Sequence, residues 1–83
     1  MDAFKTIKIF YFASLRERCG RSEELRGTAA GTPAQLYDEL RREYGFDLQQ
    51  AHLRVAVNEV FAAWDRPLAD GETVVFIPPV AGG

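Results

Sequence analysis

The chain has 83 residues, of which 47 % are hydrophobic and 27 % charged, and its formal net charge at pH 7 is -2. A single domain of this size lies near the lower limit at which one hydrophobic core supports a fold. The small acidic excess argues against a nucleic-acid partner. The only cysteine, Cys19, excludes an internal disulfide bond, and together with the only histidine, His52, it excludes a structural zinc site.

The N-terminal stretch "MDAFKTIKIFYFAS" contains an apolar run that Lys8 interrupts. This run is too short for a secretory signal or a membrane-spanning helix. We therefore expect a cytoplasmic protein with no membrane partner.

The first elements in the chain are a strand, a short helix and a second strand. Apart from Lys8, residues 7–12 are β-branched or aromatic, which predicts a buried strand. The following "ASLRERCG" favours a short helix that Gly20 ends, and "SEELRG" favours a short edge strand.

A longer helix is predicted after Gly31. Thr32 is a good N-cap, Pro33 suits the first helical position, and Gln35 completes a Thr-x-x-Gln capping box. Gly45 offers a left-handed C-cap. An apolar stripe recurs every four residues at Leu36, Leu40 and Tyr44.

Three further strands are predicted after this helix. "LRVAVNEVFAAW" alternates in polarity and turns at Asn58-Glu59, which predicts a hairpin. A turn at Asp70-Gly71 precedes a last strand over residues 73–77, which two prolines end.

The order of these elements predicts the fold class. The first and last strands are the most apolar, so we expect them to pair at the centre of a mixed sheet. The long helix must then cover one face of that sheet, which gives a two-layer α+β architecture, the β-grasp arrangement. We divide the chain into a β-grasp domain (residues 1–77) and an extended tail (residues 78–83).

The sequence predicts no self-contained active site. His52 and Cys19 lack obvious catalytic partners, and ordinary structural roles are expected for both. The carboxylates are expected to lie on solvated faces rather than in a cluster, namely those of Glu23, Glu24, Asp38, Glu39 and Glu43. The glycines show no phosphate-loop spacing.

The C-terminal stretch "TVVFIPPVAGG" is uncharged throughout. Pro78 and Pro79 favour an extended arm, and Gly82 and Gly83 allow a partner's backbone to approach closely. Six residues from Pro78 onward span about 20 Å when extended. The tail is thus suited to insertion into a partner, although simple fraying of a chain end is the alternative.

Three blocks of this sequence resemble the MoaD-type sulfur carriers, the small subunits of molybdopterin synthase. They are "FYFASLRE", the capped helix, and "VAVNEVFAAWDRPLADGETVVFIPPVAGG". The resemblance implies a ubiquitin-like β-grasp fold and a non-catalytic subunit that binds no cofactor or metal. It also implies that an activating enzyme uses ATP to adenylate Gly83, that a sulfur donor protein converts it to a thiocarboxylate, and that the sulfur passes to a pterin precursor.

The same resemblance implies which residues contact partners. The large synthase subunit, in a heterotetramer, and the activating enzyme are the implied partners. The implied contact residues are Phe12, Arg16, Phe61, Ile77, Pro78, Pro79, Val80 and Ala81, with Gly82 and Gly83 at the reacting end. For Phe12 and Phe61, packing in the core is the alternative.

Three other functions fit parts of this pattern. A thiamine-pathway sulfur carrier has the same fold and Gly-Gly end, but such chains are typically shorter and lack the Phe-x-Pro-Pro block. A ubiquitin-like modifier would form isopeptide bonds with target lysines. A β-grasp binding module with an inert tail is the third alternative.

Overall fold

The computed structural model describes residues 4–79. Within this part of the chain, the strands are β1 (Lys5–Tyr11), β2 (Glu23–Thr28), β3 (Arg54–Val57), β4 (Val60–Phe61) and β5 (Thr73–Ile77). The helices are α1 (Ala13–Cys19) and α2 (Pro33–Tyr44), and a 3₁₀ turn at Gln50–His52 precedes β3. The element order is the predicted one, and the 3₁₀ turn is an addition to it.

The strands form one mixed sheet in the order β2-β1-β5-β3-β4. β1 and β5 are parallel and pair near the centre of the sheet, whereas the other neighbours are antiparallel. This confirms the predicted pairing of the first and last strands. It also confirms the edge position predicted for β2.

One face of the sheet packs against α2. Alternate residues of β1 and β5 are buried on this face, among them Ile7, Ile9, Val74 and Phe76, all with 0 % exposure. The predicted apolar stripe of α2 supplies the facing side chains, including Leu36 and Leu40, and these residues belong to one core cluster. The two-layer α+β fold, the β-grasp arrangement, is therefore confirmed.

The caps of α2 are those predicted from the sequence, with one shift. The Thr32 Oγ1 accepts a hydrogen bond from the Gln35 backbone N–H at 3.2 Å. The Gln35 Oε1, however, accepts from the Gly31 N–H at 2.7 Å, one residue before the N-cap. Gly45 ends the helix in the left-handed conformation, with φ 71°, and its N–H donates to the Arg41 carbonyl.

The predicted hairpin turn at Asn58-Glu59 is present. Both central residues have positive φ, 53° for Asn58 and 71° for Glu59, as in a type I′ turn. The Asn58 Oδ1 also accepts from the Thr73 N–H at 3.0 Å, so the turn is tied to the start of β5.

The prediction that the carboxylates do not cluster is wrong for three of them, although Glu43 is exposed, as predicted. The guanidinium of Arg26 on β2 forms ion pairs with Glu24, Glu39 and Glu43. Two of these carboxylates lie on α2, and the side chain of Glu24 is only 7 % exposed. The sheet brings β2 beside α2, so residues far apart in the sequence form one ionic cluster.

The same cluster includes two tyrosines. The hydroxyls of Tyr11 and Tyr44 both donate to Glu24 Oε1, at 2.8 and 2.7 Å. Burial, followed by the hydrogen bond to Glu24, raises the pKa of Tyr44 to about 12 and also raises the pKa of Tyr11. Both hydroxyls therefore remain protonated donors.

Asp38, in contrast to the three clustered glutamates, is exposed and pairs with Arg42, as its i, i+4 spacing predicts.

Candidate docking surface and the base of the tail

The parallel pairing of β1 and β5 brings two predicted contact residues to one end of the sheet. Tyr11 and Phe76 are partners in the register of these strands. Phe12 and Ile77 follow them directly, so Phe12, just after β1, and Ile77, the last residue of β5, lie at the same end of the sheet. Pro78 and Pro79 continue the chain from β5 at this end of the sheet. We call Ile77, Pro78 and Pro79 the base of the tail.

The predicted docking patch consists of Phe12, Phe61 and Ile77. Phe12 is 49 % exposed and Phe61 is 64 % exposed, so the core-packing alternative is wrong for both. Ile77 is half-buried. Large apolar side chains held at the surface are typical of an interaction site.

Arg16, the predicted polar contact, is exposed on α1 about one turn after Phe12. The Arg16 N–H donates to the Phe12 carbonyl at 3.4 Å. The helix thus holds Arg16 close to the Phe12 end of the docking patch.

Sequence reasoning missed an apolar row that extends this patch across the sheet. Phe10 is the register partner of Val75, Val75 of Ala56, and Ala56 of Phe61. The register places these four residues on one face of the sheet, and Phe10 and Val75 alternate with the buried residues of β1 and β5. This face, which we call the open face, is therefore the one opposite α2. The alternation of residues within β1 and β5 was a signal that the sequence offered for this face. Only the register between strands, however, shows that the four residues form one row.

The backbone at Ala13 is strained where the chain leaves β1. Ala13 has φ 51°, in the left-handed region that residues other than glycine rarely adopt. This conformation turns the chain from Phe12 into α1, whose first turn is closed by the Leu15 N–H donating to the Phe12 carbonyl at 3.1 Å. The orientation of Phe12 therefore depends on Ala13.

Two surface grooves flank the base of the tail. The first, which we call the apolar groove, is formed with Phe12, Ala13, Ser14 and Leu48. The second, which we call the basic groove, is formed with Ala51, His52, Leu53 and Arg54. The two prolines line both grooves, so the arm begins as a ridge between them.

A buried hydrogen bond positions the wall of the apolar groove. The Tyr37 hydroxyl donates to the Leu48 carbonyl at 2.7 Å. Burial raises the pKa of Tyr37, so the hydroxyl stays protonated and remains a donor. α2 thereby fixes the segment that carries Leu48 beside the tail.

The remaining predicted residues, Val80, Ala81, Gly82 and Gly83, lie outside the described part of the chain. Among residues 4–79, no group of three or more histidine, cysteine, aspartate or glutamate side chains is arranged to hold a metal ion. Neither helix in that range is long and apolar enough to cross a membrane.

Comparison with known proteins finds relatives that agree with one another. A protein-family model described as the ThiS family matches residues 9–83. The chain is 32 % identical over 80 residues to a protein of Escherichia coli (strain K12) named molybdopterin synthase sulfur carrier subunit, covering 93 % of this chain and 99 % of that protein. A protein of the same name from Mycobacterium tuberculosis (strain ATCC 25618 / H37Rv) is also 32 % identical over 80 residues, covering 93 % and 96 % of the two chains.

A solved structure agrees with these sequence matches. The putative molybdopterin converting factor, subunit 1, from Pyrococcus furiosus is similar with a TM-score of 0.76 and 28 % identity. The similarity covers 92 % of this chain and 99 % of that one. The matches therefore span more than nine-tenths of the chain.

Proposed function

The chain belongs to the ThiS family, and we propose that it is the sulfur carrier subunit of a molybdopterin synthase. The observation that carries this proposal is the match, over nearly their whole length, to two relatives that bear this name. The exposed docking patch beside a proline-stiffened arm supports it, because a carrier must present its end to other proteins.

The proposed chemistry takes place at the carboxylate of Gly83. A carboxylate is a poor electrophile, so an activating enzyme first lets one carboxylate oxygen attack the α-phosphate of ATP, and pyrophosphate leaves. Sulfur supplied by a donor protein at the sulfide oxidation level then attacks the acyl carbon as hydrosulfide. The bond from that carbon to the AMP oxygen breaks, AMP leaves with that oxygen, and a thiocarboxylate remains. ATP is the substrate of the activating enzyme, and this chain itself holds no cofactor.

The large synthase subunit supplies the site where the sulfur is used. Phe12, Phe61 and Ile77 dock on that subunit, and the arm from Pro78 to Gly83 enters its pocket. The chain is then a non-catalytic subunit of a heterotetrameric sulfurtransferase that works in the cytoplasm. The stiff arm lowers the entropy cost of insertion.

Intact-mass measurement tests this function. The protein is incubated with ATP, its activating enzyme and a sulfur donor, and a variant lacking Gly83 serves as the control. We expect a mass gain equal to the replacement of one oxygen by sulfur, located in the C-terminal peptide, in the natural protein only. Adding the large subunit and the pterin precursor should return the original mass.

Two results would contradict the proposal. A thiocarboxylate that forms but is not consumed by the large subunit and precursor would indicate a carrier for another pathway, such as the thiamine pathway. Isopeptide-linked products on a denaturing gel, without any sulfur gain, would indicate a protein modifier.

A further inference from the structure

Arg54 lies on the open face between Phe61 and Ile77. It is the register partner of Ile77 in the β3–β5 pairing, so both side chains lie on the open face. Its guanidinium lies over the ring of Phe61, with 5.4 Å between the guanidinium carbon and the ring centroid. This stacking limits the motion of the guanidinium and leaves its N–H edge available.

Arg54 differs from the arginines that the fold uses structurally. Arg26, Arg42 and Arg66 each form an ion pair with a carboxylate. Arg54 is exposed and forms no ion pair with any carboxylate in residues 4–79. Its charge is therefore available to a partner.

His52 adds a second basic side chain to the same groove. The residue between them, Leu53, is buried and extended, with φ -117° and ψ 162°. His52 and Arg54 therefore project to the same side, and both line the basic groove with the two prolines. None of the residues that line this groove is acidic.

We propose that Arg54, with His52 beside it, binds a carboxylate of the large synthase subunit when that subunit takes up the tail. This inference rests on the proposed function. A partner that covers Phe61 and Ile77 also removes water from the guanidinium between them. A desolvated charge without a counter-ion is strongly unfavourable, so the covering surface must supply an anion. A carboxylate fits the planar guanidinium edge through two hydrogen bonds.

Binding of the cognate large subunit by calorimetry tests this proposal. Arg54→Met retains an apolar stem over Phe61 but removes the charge, and Arg54→Glu reverses the charge. Arg42→Met is the matched control, because Arg42 is an exposed, charged residue on α2, away from the open face. Thermal melting of each variant checks that the fold is retained.

We expect Arg54→Met to weaken binding about tenfold at low salt, and Arg54→Glu to weaken it further. Raising the salt from about 0.05 to about 0.5 M should narrow the difference between natural protein and Arg54→Met, since ions screen the attraction. Arg42→Met should change affinity less than twofold, and His52→Gln should give a smaller loss than Arg54→Met.

Equal affinities for Arg54→Met and Arg42→Met would overturn the inference. Equal losses for Arg54→Met and Arg54→Glu, independent of salt, would overturn it as well, because they would indicate packing on Phe61 rather than an ionic contact. Failure of the natural protein to bind the large subunit at all would instead contradict the proposed function, so the two failures are distinguishable.

Discussion

Ala13 and Glu59 hold left-handed backbone conformations, with φ values of 51° and 71°. Both lie next to the candidate docking surface, since Ala13 follows Phe12 and Glu59 precedes β4, which carries Phe61. Such a conformation costs an L-residue other than glycine, asparagine or aspartate about 1–2 kcal/mol. The fold maintains this strain where exposed aromatic side chains must be oriented.

Substitution of Ala13 should separate backbone strain from side-chain contact. Ala13→Val, with a β-branched residue that disfavours positive φ, should shift Phe12 and weaken binding of the large subunit at least severalfold. Ala13→Asn, which tolerates this conformation, should bind nearly as well as the natural protein. Calorimetric titration measures both, and equal affinities for the two variants would show that Ala13 does not orient Phe12.

Glu59→Gly should stabilise the protein by about 0.5–1 kcal/mol, because glycine adopts positive φ without strain. Denaturation by urea measures the change in the free energy of unfolding. Asn58→Gly is the informative control, since it removes the hydrogen bonds of Asn58 to Thr73 and Glu72 and should destabilise. A loss of stability in Glu59→Gly would contradict the strain that we assign to the turn.

At the scale of elements, Glu72 connects the hairpin to the segment before β5. Its carboxylate accepts from both terminal nitrogens of Arg66 at 3.0 Å and from the Ala69 N–H at 2.8 Å. The Asn58 amide also donates to it, at 3.2 Å. The hydrogen bond from Arg66, outweighing burial, holds the pKa of Glu72 below its ordinary value.

This lowered pKa predicts how stability depends on pH. A carboxyl group whose pKa is lower in the folded state contributes stability above the unfolded-state pKa, near 4.5. That contribution is lost as the pH falls through the folded-state pKa. Glu72→Gln should therefore cost about 1 kcal/mol at pH 7 and less near pH 3, below the unfolded-state pKa.

Urea denaturation of the natural protein and of Glu72→Gln at both pH values checks this expectation. Asp38→Gln is the control, because the Asp38–Arg42 pair is exposed and should contribute little at either pH. A difference for Glu72→Gln that is as large at pH 3 as at pH 7 would contradict the assignment.

At the scale of the whole molecule, the two faces of the sheet have different roles. The face toward α2 holds the core, whereas the open face keeps Phe61 64 % exposed. Phe4, 71 % exposed, lies over Gly27 of β2 near the opposite edge of the sheet. The effect of removing a phenylalanine side chain on stability and on binding should therefore differ between the core, the docking patch and the far edge of the sheet.

Three phenylalanine substitutions should separate stability from binding. Phe76→Ala should lower the free energy of unfolding by about 3–5 kcal/mol, because Phe76 is fully buried. Phe61→Ala should leave the free energy of unfolding within about 1 kcal/mol but weaken binding of the large subunit at least tenfold. Phe4→Ala should leave binding unchanged.

Urea denaturation and calorimetric titration distinguish these cases. Equal affinities for Phe61→Ala and Phe4→Ala would place the docking surface elsewhere. A large loss of stability in Phe61→Ala would instead indicate that its ring contributes to the core.

The local features of this protein follow from short stretches of its sequence. The caps at Thr32 and Gly45, the turn at Asn58-Glu59 and the order of the elements were predictable, because each depends on residues close together in the chain. The apolar character of β1 and β5 was also enough to predict that they pair at the centre of the sheet.

Which distant residues meet depends on how the strands and helices pack together. Strand register places Phe10 and Phe61 in one row and Arg54 beside Ile77, and the packing of α2 brings Glu24, Glu39 and Glu43 to Arg26. The alternating pattern of a strand indicates which of its faces is buried, but it does not identify which residue of a distant strand lies opposite each position. For this reason the prediction for the tail followed from its own residues, whereas the surface around its base emerged only from the folded sheet.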